Sequence, residues 1–213
     1  MTKKQCELNN VQEKRGRSKD EEKRGQIIEA AGMLFVEHGF EKVSMEGIAK
    51  SAGVSKQTVY SHFGNKQQLF TAAIDAKCEE YNLVPEKQGA EMDFETYLTY
   101  FCTHLTSLLN SAEAIGIFRV CVREGGNSEV GELFWAAGPG KIRQRLHGYL
   151  SEQCRLGHLQ ISNIEFATSQ LIAMIHSETQ FRSLLSLAAT KSAADLDDYA
   201  RSCVQMFLKA YRA

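Results

Sequence analysis

Apolar residues recur along this chain at three- and four-residue steps and almost nowhere alternate, which predicts helices rather than strands. From about Asp20, Ile27, Ala31, Leu34 and Phe35 form one stripe that Gly39 ends. Ser44 is placed to cap a second helix with Met45, Ile48 and Ala49 on its inner face, and Gly53 closes it. A third helix of about two turns follows from Ser55, with Val59 and Phe63 facing inward. Asn65 opens a fourth that runs to about Tyr81, with Gln68 in capping-box register. Beyond "NLVPEKQGAEMD", read as a linker, Tyr97, Phe101, His104, Leu105 and Leu108 define another stripe. Ile115, Phe118, Cys121 and Val122 define the next, which stops at Gly125-Gly126. A long helical pattern is then interrupted at Gly138-Pro139-Gly140, where proline removes a backbone donor and crowds the preceding turn. Two apolar segments, 164–187 and 195–211, complete the chain. With only 2 prolines and few Val/Ile/Thr runs, the expected fold class is all-α.

The short third helix carries an unusual outer face. In "AGVSKQTVYSHFGNK" (52–66), Gln57 and Ser61 point away from Val59 and Phe63, flanked by Thr58 and Tyr60, with Lys56 in the first turn. That face offers donors, acceptors and one amphipathic ring, but no carboxylate. A helix entering a groove lined with phosphates avoids Asp and Glu, whereas a helix that merely faces water usually mixes Glu with Lys. Nucleic acid is the favoured partner, and a short solvated helix is the alternative.

Whole-chain properties narrow the classes. A length of 213 residues can bury a sizeable core. No apolar run is long enough for a bilayer and the basic start has no signal-like apolar region, so the expected location is the cytoplasm, without membrane partners. The net charge of −1 conceals an excess of Lys and Arg over Asp and Glu in residues 1–66 and the reverse beyond them. "KRGRSK" (14–19) sits in a polar arm over residues 1–19, expected to be disordered and able either to touch DNA or simply to be solvated. The 6 cysteines form no C-x-x-C pair, so a metal site is not expected; reduced thiols are, with a redox sensor among them as the alternative. No G-x-S-x-G, H-E-x-x-H or phosphate-cradling loop occurs, and Ser61-His62 are helical neighbours pointing about 100° apart, so neither an enzyme nor a cofactor is expected.

The stretch "FVEHGFEKVSMEGIAKSAGVSKQTVYSHFGNKQQLF" (35–70) resembles the DNA-binding domain of TetR-family transcriptional regulators. The resemblance rests on Gly39-Phe40, Ile48-Ala49, Ala52-Gly53-Val54-Ser55, Thr58-x-Tyr60-x-His62-Phe63, and Lys66 with Leu69. It implies major-groove contacts from Lys56, Gln57 and Tyr60, and phosphate contacts from Ser44, Thr58, Tyr60, His62 and Lys66; Ser61 joins them on the outer face. For His62 a packing role beside Phe63 stays open. "LFWAAGP" and the later "GHL" resemble the C-terminal domain of the AefR-like branch. The implied organisation is an arm (1–19), a helix-turn-helix domain (20–66), a connecting helix (67–84) and a ligand-sensing and dimerisation domain (85–213).

By the same resemblance the protein is a repressor that binds a palindromic double-stranded operator as a homodimer and is released by a small molecule. A constitutive architectural DNA-binding protein is the rival, and it has no use for so large a second domain. The effector is expected to be largely apolar, in a pocket drawn from Tyr97, Phe101, His104, Phe118, Cys121, Phe134, Trp135, Met174, His176, Glu178 and Phe181. The dimer interface is expected on Leu171, Ile175, Leu184, Leu185, Leu196, Tyr199, Cys203, Phe207 and Tyr211.

Overall fold

A computed structural model describes residues 19–83, 92–126, 128–188 and 191–213. The arm at 1–18 and the linker with Pro85 and Gly89 lie outside the described residues. All regular structure within them is helical, with one isolated antiparallel bridge between Leu159 and Arg212.

The first layer is built from α1 (Lys19–His38), α2 (Met45–Ser51), α3 (Lys56–Phe63) and α4 (Lys66–Glu80). Their ends follow the sequence punctuation. Ser44, Ser55 and Asn65 adopt extended backbone and accept from the N–H groups of Gly47, Thr58 and Gln68, satisfying donors each helix would otherwise strand. Gly39 (φ +90°) and Gly53 (φ +66°) occupy the left-handed region that lets the chain reverse after α1 and after α2. Phe35, Phe40 and Phe70 pack at centroid distances of 5.0–5.7 Å, two of the three pairs edge-on, at the centre of this layer.

The second layer comprises α5 (Phe94–Leu109), α6 (Ala112–Glu124), α7 (Val130–Ala137), α8 (Pro139–Arg155), α9 (Ile164–Ile175), α10 (Glu178–Leu184) and α11 (Ala193–Tyr211). The expected interruption falls between α7 and α8, with Pro139 at the first helical position, where its missing N–H costs nothing. One difference from expectation lies at His176-Ser177, which separates α9 from α10 and makes 164–187 two helices. Ser177 caps the second by accepting from Gln180 N–H.

Two cores result. One joins Leu98, Phe101 and Leu105 of α5 to Leu171 and Ile175 of α9 and to Ala200, Cys203 and Phe207 of α11. The other belongs to the first layer but also takes in Val120 and Cys121 of α6 and Val130 and Ala137 of α7. The first layer (the head) therefore shares its core with the second (the body). Gly116 of α6 makes this approach possible: a Cβ there would stand 2.5 Å from a methyl of Val36 on α1.

Candidate nucleic-acid interface and cavity

The turn between α2 and α3 presents the outer face that the sequence pattern foretells. Val59 and Phe63 are buried, while Lys56, Gln57, Tyr60 and Ser61 are exposed and Thr58 is half-exposed. Tyr60 keeps 44% of its surface in solvent. The side chains on this face are already partly ordered: Ser55 and Thr58 hydroxyls lie 2.8 Å apart, and Ser61 donates to Thr58 O at 2.9 Å. Lys56 Nζ stands 3.4 Å from Glu46 Oε2, an exposed pair that solvent screens. Ser44 is exposed at the start of α2, its hydroxyl accepting from Gly47 N–H at 3.1 Å.

Two of the expected phosphate ligands have other occupations. Lys66 donates to the carbonyls of Phe40 (2.8 Å) and Glu41 (3.3 Å), and its ammonium sits 4.4 Å from the centre of the Phe40 ring. Here it ties the start of α4 to the α1–α2 turn rather than projecting toward a duplex. The side chain of His62 is 13% exposed, with its ring 5.9 Å from that of Phe63 and Nε2 3.4 Å from Asp20 Oδ1. The geometry favours the packing role for His62.

The body grips the head at a place the sequence pattern does not reveal. Glu124, the last residue of α6, accepts from Glu41 N–H at 3.1 Å and pairs with Arg123 at 2.9 Å. Burial works against its ionisation, but the Arg123 guanidinium and the N–H groups of the α1–α2 turn outweigh it and hold its carboxyl below the usual carboxylate range. On α4 itself, Asp75 pairs with Lys141 of α8 and Gln67 donates to Glu129. A further unexpected tie, within the body, joins Arg119 of α6 to the carbonyls of Ser183 and Leu184 at the end of α10. These groups escape sequence reading because an isolated polar residue on a helix carries no periodic signal that names its partner.

The residues expected at the effector pocket fall in several different environments. Phe101 and Cys121 are plain core, in separate clusters. Tyr97 stacks on Tyr149 at 4.2 Å, and His104 stacks on Tyr100 while its Nδ1 lies 2.8 Å from Tyr81 O. Met174 packs beside the core formed by α5, α9 and α11, and its carbonyl accepts from Tyr199. Phe118, Trp135 and Phe181 are exposed, as are His176 and Glu178 at the α9–α10 break. Apolar periodicity marks a core face and does not distinguish it from a pocket wall. A cavity of ≈ 570 Å³ lies between the head and the body. Of the expected residues only Phe134 lines it; α1 and α4 supply much of the wall.

The residues expected at the dimer face differ in burial within the single chain. Leu171, Ile175, Leu196, Cys203 and Phe207 are buried inside a single chain, because α11 packs its apolar stripe on α5 and α9. Tyr199 and Tyr211 are half-buried, donating to Met174 O and Gln170 Oε1. Leu184 is half-buried and Leu185 exposed, on the separate helix α10 and just beyond it. What α9 and α11 leave open is the opposite side, including Phe166 (64% exposed) and Met206 (57%). Burial raises the Cys102 thiol and pushes Cys121 up to about 12, which disfavours their thiolate forms.

Comparison with known proteins agrees with this architecture. Residues 27–73 match the family described as bacterial regulatory proteins, tetR family, and residues 96–213 match the AefR-like transcriptional repressor C-terminal domain. The chain belongs to the TetR family. It is a TetR-family transcriptional regulator with a helix-turn-helix head and a helical C-terminal domain, a family of regulators and not of enzymes. It is 34% identical over 97 residues to the uncharacterized regulator YdeS of Bacillus subtilis, covering 46% of this chain and 49% of that protein. It therefore spans about half the length of that relative, and less of some others. It is 29% identical over 197 residues to the transcriptional regulatory protein RaaS of Mycobacterium tuberculosis, covering 92% of this chain and 87% of the relative. The solved structure of the flavonoid-responsive regulator FrrA is 28% identical, with a TM-score of 0.68 over 90% of this chain and 98% of FrrA. Among the described residues, no single helix is long and apolar enough to cross a membrane.

Proposed function

We propose that this TetR-family regulator is a ligand-responsive repressor that binds a palindromic DNA operator as a homodimer in the cytoplasm. The observation that carries the reading is the outer face of α3, which has no carboxylate and exposes Lys56, Gln57 and Tyr60 on a rigidly capped helix. In this reading Lys56, Gln57 and Tyr60 meet base edges, and Ser44, Thr58 and Tyr60 meet phosphates, with Ser61 beside them on the outer face. The arm at 1–19, the head at 20–66, the link at 67–84 and the body at 85–213 remain the functional division, although the head and body share a core.

Two heads engage successive half-sites only when their recognition helices stand about 34–36 Å apart, so a dimer is the natural reader. The exposed sides of α9 and α11 support it, with Phe166 and Met206 as apolar anchors among small and polar neighbours. FrrA is named for its response to a flavonoid, and a regulator of like architecture answering to a small apolar molecule is in keeping with the cavity described above. A ligand that prefers one head spacing shifts the population toward it, and by linkage DNA weakens the ligand equally.

The test is selection of bound duplexes from a random pool with the intact protein and with Gln57→Ala. The expected result is an inverted repeat for the intact protein and relaxed preference within each half-site for the variant. A pool that stays random, or an unchanged consensus with Gln57→Ala, overturns the reading.

A further inference from the structure

The ≈ 570 Å³ cavity has a distinctive division of chemistry. Its inner wall is apolar, formed by Ile28 of α1, Ile74 of α4, Leu108 of α5, Ile117 of α6, Phe134 of α7 and Ile142 of α8. Its charged groups are Glu29, Glu80, Glu113 and a single cation, Lys77. That lysine is matched twice over, 2.8 Å from Glu80 and 3.6 Å from Glu113. The rim is thus acidic by two charges, with Glu29 left over and exposed. An anionic ligand would meet net repulsion there, whereas a cation would meet the net charge left by three carboxylates that share the one ammonium of Lys77.

A second, independent feature lies on α1. Gly25 and Gly32 both line the cavity, and a Cβ at either would meet nothing within 4 Å. Glycine inside a helix costs about 1 kcal/mol relative to alanine, and α1 carries two of them, two turns apart on one face, Gly25 exposed and Gly32 half-buried. Gly116, also within a helix, is the contrast: there the absent side chain is filled by Val36. The space at Gly25 and Gly32 is not used by the protein's own packing.

We propose that this cavity binds an amphiphilic cation, with an apolar body seated between α1, α4 and α6 and an amine or quaternary ammonium held at the Glu29–Glu80–Glu113 rim. The proposal rests on the ligand-responsive reading above and gives it a place: the ligand touches α1 of the head and α6 and α8 of the body at once, so its occupancy bears directly on their relative position.

Three probes of equal chain length separate the elements of the claim: decyltrimethylammonium, decyl sulfate and decanol, each titrated calorimetrically below its micellar concentration into the full-length protein. The cation is expected to bind once per chain and about tenfold or more tighter than the sulfate. Gly32→Leu, which fills the cavity from α1, should abolish that binding, and Glu113→Gln should weaken the cation several-fold while leaving decanol unchanged. Should Gly32→Leu fail to fold, Ile142→Trp fills the same space from α8. The proposal is overturned if none of the probes binds, if the sulfate matches the cation, or if neither filling variant alters binding. Operator affinity measured with saturating cation distinguishes this from the broader reading. Loss of cation binding in the filling variants with an unaltered operator affinity in the intact protein upholds the site and removes ligand-driven release. A compound that releases operator equally from intact and filled protein upholds release and overturns this site.

Discussion

The carboxylate of Glu124 accepts a hydrogen bond from the backbone N–H of Glu41, joining the end of α6 to the α1–α2 turn across 83 residues of sequence. Its position leaves no room for a side chain on the turn: a Cβ at Gly39 would lie 2.0 Å from Glu124 Oε1. The body thus holds the reading head through a charged acceptor set against main-chain donors, beside the close contact of Gly116 with Val36.

This attachment should depend on pH. Because the folded Glu124 carboxyl titrates below its ordinary value, its contribution is fully present above the normal carboxylate pKa and is lost as pH falls through the depressed value. Glu124→Gln should lower stability near neutrality by about 1 kcal/mol, and the gap between the two proteins should close in acid. Thermal melts of both proteins across that range are the check; a gap that widens in acid contradicts the assignment.

The glycines of α1 and α6 should respond oppositely to the same change. Gly32→Ala should raise stability by up to about 1 kcal/mol, since its Cβ enters open space in a helix. Gly116→Ala should lower it by about 1–3 kcal/mol, as Val36 must give way. Denaturant titration distinguishes the two signs.

At the DNA face, Gln57→Ala should cost about 1–3 kcal/mol on the preferred site with altered base preference. Lys66→Ala should behave differently: its ammonium is bonded to Phe40 O and Glu41 O, so the expected loss is in melting temperature. The salt dependence of DNA binding should stay near that of the intact protein. A salt slope reduced by about one phosphate's worth would show that Lys66 leaves those carbonyls for the duplex.

Charge placed on α11 should separate folding from assembly. Phe207→Asp buries an unpaired carboxylate in the chain's own core and should prevent folding of the body. Met206→Asp, one residue away and 57% exposed, should leave the fold intact and yield a monomer that no longer binds the operator. Light scattering with circular dichroism reads both; a Met206→Asp protein that remains dimeric rules out this face.

The sequence by itself determined the helices, their capping residues and the reading face of α3. Those are local matters: a serine beside a helix start, a glycine past its end, and a period of 3.6 residues each act within a few positions. Thus Ser55, Gly53, Val59 and Phe63 were legible, and so was the break at Pro139. Only the tertiary structure decided which apolar stripes meet inside one chain. Phe207 and Leu171 carry the same periodic signal whether they face a partner or the chain's own α5, and the approach of α11 to α5 settled it. The cavity was hidden for a related reason. Its walls come from helices far apart in sequence, and its clearest mark on the chain, Gly25 and Gly32, is the absence of side chains, which a hydrophobic pattern does not register. Glu124 and Lys66 found their partners in main-chain groups of the α1–α2 turn, and no side-chain code specifies a backbone partner at a distance.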